Sequence, residues 1–506
     1  MRFMQCLALG TFVVDEGEVH NLVALTRFNS GVAHLDNHAM SSESERKSSG
    51  LSDWLLYSAL AAIICADVIV ALFDKRLEQQ PVSVARPERY QVIQTFAATG
   101  PGAKSPMGLA VDNAGHLYGS TLTGTIFELT PPSPSGSRWV MRVLSNVDGN
   151  TIGTGPIWSM IGQDGDLYGM TNDGETVYKL KRGDNGWGEP VPLYRLTEPL
   201  SPLGTTFPEL IPDKSGSLYG TTAGGGGTDA GTVFKLSPGP DGWTETVLHR
   251  FARGDDDGGY PSGGLTIDEV GALYGTTSGG GQDGLGTVFK LTPTDHGWEK
   301  TLLHIFRQLD GSSGKGGLMP MAGLTLGDDG TLYGTASGGG QFGEGVVFAL
   351  TPSDHNSWSY RVLYNFKRGD GDGAAPNSRM VFGKSGALYG TTKFGGNASG
   401  YEGFGTVFKL APTAAGWGKA VLHFIERLQR DDVPTATGWS EVVLHSFTGG
   451  ADGARPTGAL IRAPSGNLFG TTAGTARSGV DTGSTVFEIE TGAIPESNAN
   501  APFQPD

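Results

Sequence analysis

The chain has 506 residues, of which 81 are glycine, about 16% against an ordinary ~7%, while charged residues are 17% and apolar ones 38%. No G-x-y triplet accompanies the glycine, which excludes collagen, and 9 Trp, 14 Tyr and 23 Phe exclude a disordered linker. A net charge of −16 opposes binding to nucleic acid or to an anionic membrane surface, both of which need clustered Lys and Arg. What remains is a fold of strands and tight turns.

Residues 1–50 show no sustained pattern. Trp54 to Phe73 is a twenty-residue apolar run broken only by Asp67, long enough to cross a bilayer as a helix. Asp67 would cost ~3 kcal/mol near the middle of such a helix. Arg46 and Lys47 precede the run, and the small residues Ser83 and Ala85 follow it at the spacing a signal peptidase reads. The expectation is a signal or membrane-anchoring helix over 51–76 that carries the rest to the cell surface or beyond, then a linker over 77–88. Both cysteines, Cys6 and Cys65, precede the remaining chain, which therefore has no disulfide framework and no thiolate metal site.

Self-comparison decides the fold. Leu-Tyr-Gly recurs with its tyrosine at Tyr118, Tyr168, Tyr219, Tyr274, Tyr333 and Tyr389, and a seventh copy carries Phe469. The steps are 50, 51, 55, 59, 56 and 80 residues. The long last step holds a duplication, Gly416-Trp417…His423 returning as Gly438-Trp439…His445, and without its 22 residues the step is 58. Each copy contains four short runs with the two-residue alternation of strands. Four antiparallel strands in ~55 residues cannot bury both faces alone, so consecutive sheets stack radially as blades. The seventh copy lacks its outer strand, and an unpartnered strand of that type, Tyr90–Phe96, precedes the first. The expected fold is an all-β, seven-bladed β-propeller of four-stranded antiparallel blades over 89–490, closed by the N-terminal strand completing the last blade. A polar tail over 491–506 follows, and of the two Trp/VLH copies the second is expected to pair in the sixth sheet.

The string LYGTT, a glycine-rich stretch, GTVFKLTP, GW, VLHxF and DGxxP resembles the GloVer tandem-repeat family. It is fullest at Leu273–Phe306 and clear at Leu218–Phe251 and Leu388–Leu422. The resemblance implies bacterial surface or exported proteins with interchangeable anchoring segments and no assigned activity. The chain departs from it after Ile489, where no anchor pattern follows, and in copies one and two, where Ser120 and Met170 replace the first threonine.

His249, His304, His423 and His445 share one register of the outer strand, which marks them as repeat packing or hydrogen bonding rather than ligands of one metal. The links Gly254–Gly258, Gly369–Gly373 and Asp452-Gly453 carry enough carboxylate to raise calcium, but they lack the later bidentate Glu of a calcium loop and read as turns. No cofactor is expected. The glycine runs open into strands rather than helices, so they are not phosphate loops. No catalytic motif stands out, and no catalytic residue is assigned.

Departures from the repeat are more informative. The residue at the start of each inner strand is Gly108, Ser159, Glu209, Gly264, Gly323, Arg379 and Ala459. Glu209 and Arg379 are large and charged among small neighbours, and Trp158 stands beside this register. These three are the candidate ligand-binding residues, at a channel mouth wide enough to keep Glu209 and Arg379 apart. The expected function is a binding or interaction module at the cell surface, with a carbohydrate or a surface protein as partner. The alternatives are an enzyme acting on carbohydrate or a small ligand at the channel mouth, and a purely structural surface protein.

Overall fold

The computed structural model describes residues 88–491, except 97–104, 134–135, 137, 148–154, 172–173, 185, 199–208, 309–315, 354–356, 370, 384–385, 398–402, 413–438 and 475–482. The apolar run 54–73, the first Trp/VLH copy and the tail after Thr491 lie outside the described residues. Every regular element among those residues is a strand. They form seven antiparallel blades, beginning with Pro106–Asn146 as the first. In the seventh, Arg89–Phe96 pairs antiparallel with Ser484–Glu490, Tyr90 opposite Ile489 and Phe96 opposite Ser484. The second Trp/VLH copy, Trp439–Ser446, is the outer strand of the sixth blade.

Seven buried clusters each join two neighbouring blades, and one of them packs Phe469 and Val486 of the seventh against Leu109, Leu117 and Phe127 of the first. The recurrent motif is explained by this packing. The glycine of LYG lies directly under the phenylalanine of TVF on the next strand. A Cβ at Gly119, Gly220, Gly275, Gly334, Gly390 or Gly470 would overlap the ring of Phe127, Phe234, Phe289, Phe348, Phe408 or Phe487. The threonines pair in the same two strands, Thr222 with Thr232 at 2.9 Å, Thr277 with Thr287 at 2.9 Å and Thr392 with Thr406 at 2.8 Å. Each pair satisfies hydroxyls that would otherwise be buried without partners.

The innermost strand is less regular than the sequence suggests. In the fourth blade it is two pieces, Gly258–Pro261 and Thr266–Ile267, both paired with Leu273–Gly280. The break follows a residue with positive φ that precedes a proline: Tyr260 at 58°, and at the same place in later links Met319 at 55°, Ala375 at 51° and Arg455 at 49°. The pose persists because each backbone N–H donates across the seam to a carbonyl of the preceding blade, those of Ala230, Leu285, Glu344 and Phe404.

On the opposite side, six of the seven seams carry an aromatic pair among the described residues. The tyrosine of LYG meets the outer tryptophan of the next blade edge to face at five seams, with centroids 5.4 to 6.5 Å apart: Tyr118–Trp187, Tyr168–Trp243, Tyr219–Trp298, Tyr274–Trp358 and Tyr333–Trp439. The tyrosine hydroxyl donates to a carboxylate, Asp213 for Tyr219 at 3.1 Å and Asp268 for Tyr274 at 3.0 Å. The lysine of TVFKL lies over the same ring, Lys235 at 5.2 Å from Tyr219 and Lys290 at 5.4 Å from Tyr274. In the sixth blade Gly383 has no carboxylate to offer, and Glu88 supplies one to Tyr389 at 2.6 Å and Lys409 at 2.7 Å.

Candidate functional sites at the channel and the blade seams

Glu209 enters from the third blade and Arg379 from the sixth. The structure brings them together, Nη2 to Oε2 at 2.8 Å, each with about 19% of its side chain exposed. The expected separation across an open mouth is therefore overturned. Two long side chains reach each other because the intervening blades present glycine at the same register. A Cβ on Gly264 would overlap the Glu209 carboxylate, and one on Gly323 would press on the Arg379 guanidinium at 2.5 Å. Arg379 also donates through Nη2 to the Leu265 carbonyl at 2.8 Å, while its buried Nε has no partner among the described residues. Burial raises the Glu209 pKa, and the guanidinium works against that rise. Trp158 lies in the strand Pro156–Ile161, opposite Met170. Its side chain lies outside the described residues.

Two outer-strand histidines, His249 and His445, and their Asp-Gly links, distinct features in the sequence, form one repeated device. His249 Nε2 is 3.2 Å from Asp257 Oδ1, and His445 Nε2 is 3.1 Å from Asp452 Oδ2. The aspartate also caps its own link, Asp257 accepting from the Ala252 and Gly258 amides and Asp452 from that of Thr448. A residue from the next blade completes the seam. In the fourth blade Lys300 bonds Asp257, and in the seventh Tyr90 stacks on His445 at 3.6 Å and donates to the Asp452 carbonyl at 3.0 Å. His304, in the fourth blade, is half-buried against Tyr360 at 3.9 Å, and burial first, then Arg307, lowers its pKa to about 4.

At the seam of the fifth and sixth blades the device is charge-inverted. Asp372 takes the place of Asp257, Tyr364 that of His249, and Glu441 that of Lys300, as the strand registers fix. Asp257 and Asp372 then behave oppositely. Burial works against ionisation at Asp257, but the bonds from His249 and Lys300 outweigh it and hold the carboxyl well below its usual range. At Asp372 the Lys367 and Gly373 amides and the Tyr364 hydroxyl do not outweigh burial, and the pKa is raised. Burial, then Asp372, pushes Glu441 up to about 7. Its Oε1 is buried with no hydrogen-bond partner among the described residues. The two carboxylates border a cavity of about 750 Å³ that also meets Lys367, Asn397 and His445. The Lys-to-Glu exchange is visible when the fourth and sixth copies are aligned, but it lies in the outer strand, away from the inner register that drew the sequence reading. No group of three or more His, Cys, Asp or Glu among the described residues has the geometry to hold a metal ion.

The Gloeobacter/Verrucomicrobia repeat family matches residues 202–323 and 312–497, more than half of the chain, and the chain belongs to that family, in agreement with its LYGTT and GTVFKL motifs. No curated protein matches it in sequence. Among solved structures it is similar to virginiamycin B lyase from Staphylococcus aureus, at 12% identity and a TM-score of 0.45, over 79% of this chain and 99% of that one. It is similar also to the extracellular domain of a putative one-component system from B. thetaiotaomicron, at 11% identity and a TM-score of 0.45, over 79% and 39%. A third is the PQQ-bound aldose sugar dehydrogenase from Streptomyces coelicolor, at 14% identity and a TM-score of 0.38, over 80% and 98%. No activity is carried over from them.

Proposed function

We propose that this member of the repeat family is a binding or interaction module displayed outside the cytoplasm. One observation carries the reading. The polar side chains that recur in register join blades, and a buried carboxylate oxygen without a partner among the described residues, Glu441 Oε1, lies where a seam departs from the repeat. The Glu209–Arg379 pair serves in this reading as a strut across the channel. A ligand role for Trp158, Glu209 and Arg379 would require a ligand carboxylate to displace Glu209 from the guanidinium. The N-terminal strand closes the ring, and the 54–73 run carries the propeller across the inner membrane.

Arrays of glycans and of surface-protein extracts, probed with the full chain with and without calcium, test the binding reading. Specific capture supports it, and a folded protein that captures nothing from either array overturns it. A reporter fused after Ala85 should be active only outside the inner membrane, and a cytoplasmic reporter would reverse the localisation. The enzyme reading is favoured by one feature, the clustered carboxylates with a raised pKa at Asp372 and Glu441. Turnover of a chromogenic glycoside that is lost in Glu441→Gln would establish it, at the seam rather than the channel.

A further inference from the structure

We propose that the seam between the seventh and first blades binds a sugar ring; this deepens the binding-module reading and rests on it. Here all three parts of the aromatic corner are changed together. Ala463 stands where Asp213 stands in the third blade, Phe469 where Tyr219 stands, and Glu488 where Lys235 stands. Trp139 still meets the aromatic ring edge to face, at 5.4 Å from Phe469. The carboxylate, hydroxyl and ammonium that fill the corner at the third blade are missing, and a cavity of about 440 Å³ opens in their place. A second cavity of about 350 Å³ adjoins it, sharing Asn113, Ala463 and Pro464. Both volumes fall within the range of about 300–1,000 Å³ typical of small-ligand sites.

The lining has two kinds of surface. Trp139, Phe469 and three prolines supply an apolar wall. Facing the same space is Glu488, 6% exposed, whose two oxygens accept from Gln91 Nε2 at 2.6 Å and Asn467 Nδ2 at 2.7 Å. Each amide that donates through nitrogen keeps its carbonyl oxygen as an acceptor, and the carboxylate retains further lone pairs. The set is therefore rich in acceptors, preorganised by its own bonds and backed by an indole. An anion is disfavoured by Glu488. A simple cation would find a single carboxylate, with no group of three His, Cys, Asp or Glu among the described residues to complete its ligands. A pyranose offers what the lining lacks, several hydroxyl donors around a ring whose C–H face can lie on an aromatic surface.

The test is titration of the full chain with neutral methyl glycosides and with maltose, cellobiose and lactose, by calorimetry and saturation-transfer NMR, guided by the glycan array. Wild type should bind at least one. Glu488→Gln keeps the shape and should weaken binding about tenfold or more, the loss of one charged acceptor. Trp139→Ala should do the same and Trp139→Phe less, which separates the ring contact from a folding defect. His304→Phe, which the packing against Tyr360 accommodates, should leave sugar affinity unchanged. Full affinity in both Glu488→Gln and Trp139→Ala would overturn the site, and no binding by wild type to any sugar would overturn the ligand class. Capture of a surface protein without any sugar binding would overturn this proposal alone and leave the binding module standing.

Discussion

Arg379 Nη2 lies 2.8 Å from Glu209 Oε2, so the sixth blade is tied directly to the third over the glycines of the two blades between them. Removing one partner leaves a largely buried charge uncompensated. Arg379→Met should cost about 3 kcal/mol in urea unfolding, and Arg379→Met with Glu209→Met should recover most of it. The sign with pH follows from Glu209. Its folded pKa lies above the unfolded one, so its contribution is present at low pH and is lost as pH rises. The single variant should therefore be least stable, relative to wild type, above the ordinary carboxylate range. Equal stability of wild type and Arg379→Met at pH 8 would remove the strut.

Glu441 gives a second pH signature. Its folded pKa of about 7 exceeds the unfolded value near 4.5, so stability is present below 4.5 and lost as pH rises towards 7. The charged or titratable groups around it are Asp372, Tyr364, Lys367 and His445. Glu441→Gln should flatten the stability profile between these limits and raise Tm at pH 7.5. Glu441→Lys should raise it further by restoring the Lys300–Asp257 arrangement, worth about 1 kcal/mol. A fall in Tm for both variants at pH 7.5 would contradict the charge inversion.

His304 works in the other direction. Its folded pKa of about 4 lies below the usual 6.5, so neutral-histidine stability is present above 6.5 and lost as pH falls through 4. His304→Phe should keep the contact with Tyr360 and shift the acid-unfolding midpoint to lower pH. An unchanged midpoint would place His304 in a solvated setting.

Deleting residues 85–96 removes the partner of Ser484–Glu490 and the ring that stacks on His445. The exposed edge should lower Tm and promote aggregation. Tyr90→Phe should keep the stack and lose the hydroxyl's bonds to the Asp452 carbonyl and Thr485, a change of about 1 kcal/mol by thermal or urea unfolding. Soluble, fully stable truncated protein would show that the strand is dispensable.

Period and strand alternation carried the architecture, because a repeat states its fold seven times. The second Trp/VLH copy was legible because Ser446-Phe447 leads into a normal link. Distances across the ring were not legible. Whether Glu209 meets Arg379 depends on channel width and side-chain reach, and neither is a property of sequence spacing. The clue lay in Gly264 and Gly323 at the same register, which read as ordinary small residues until the side chains crossing them were seen. Likewise His445 and Asp452 each read correctly alone, as packing and as a turn, but their bond appears only when strand and link are folded together.

The Gly-x-X-Pro links have a consequence for how such a protein diversifies. At Tyr260, Met319, Ala375 and Arg455 the backbone pose is the same and its seam bond is made by the amide, which every residue but proline possesses. The side chains there are a phenol, a thioether, a methyl and a guanidinium. The fold thus fixes the address and leaves the lettering blank. These four equivalent positions can change their side-chain chemistry one blade at a time while the joints beneath stay as they are.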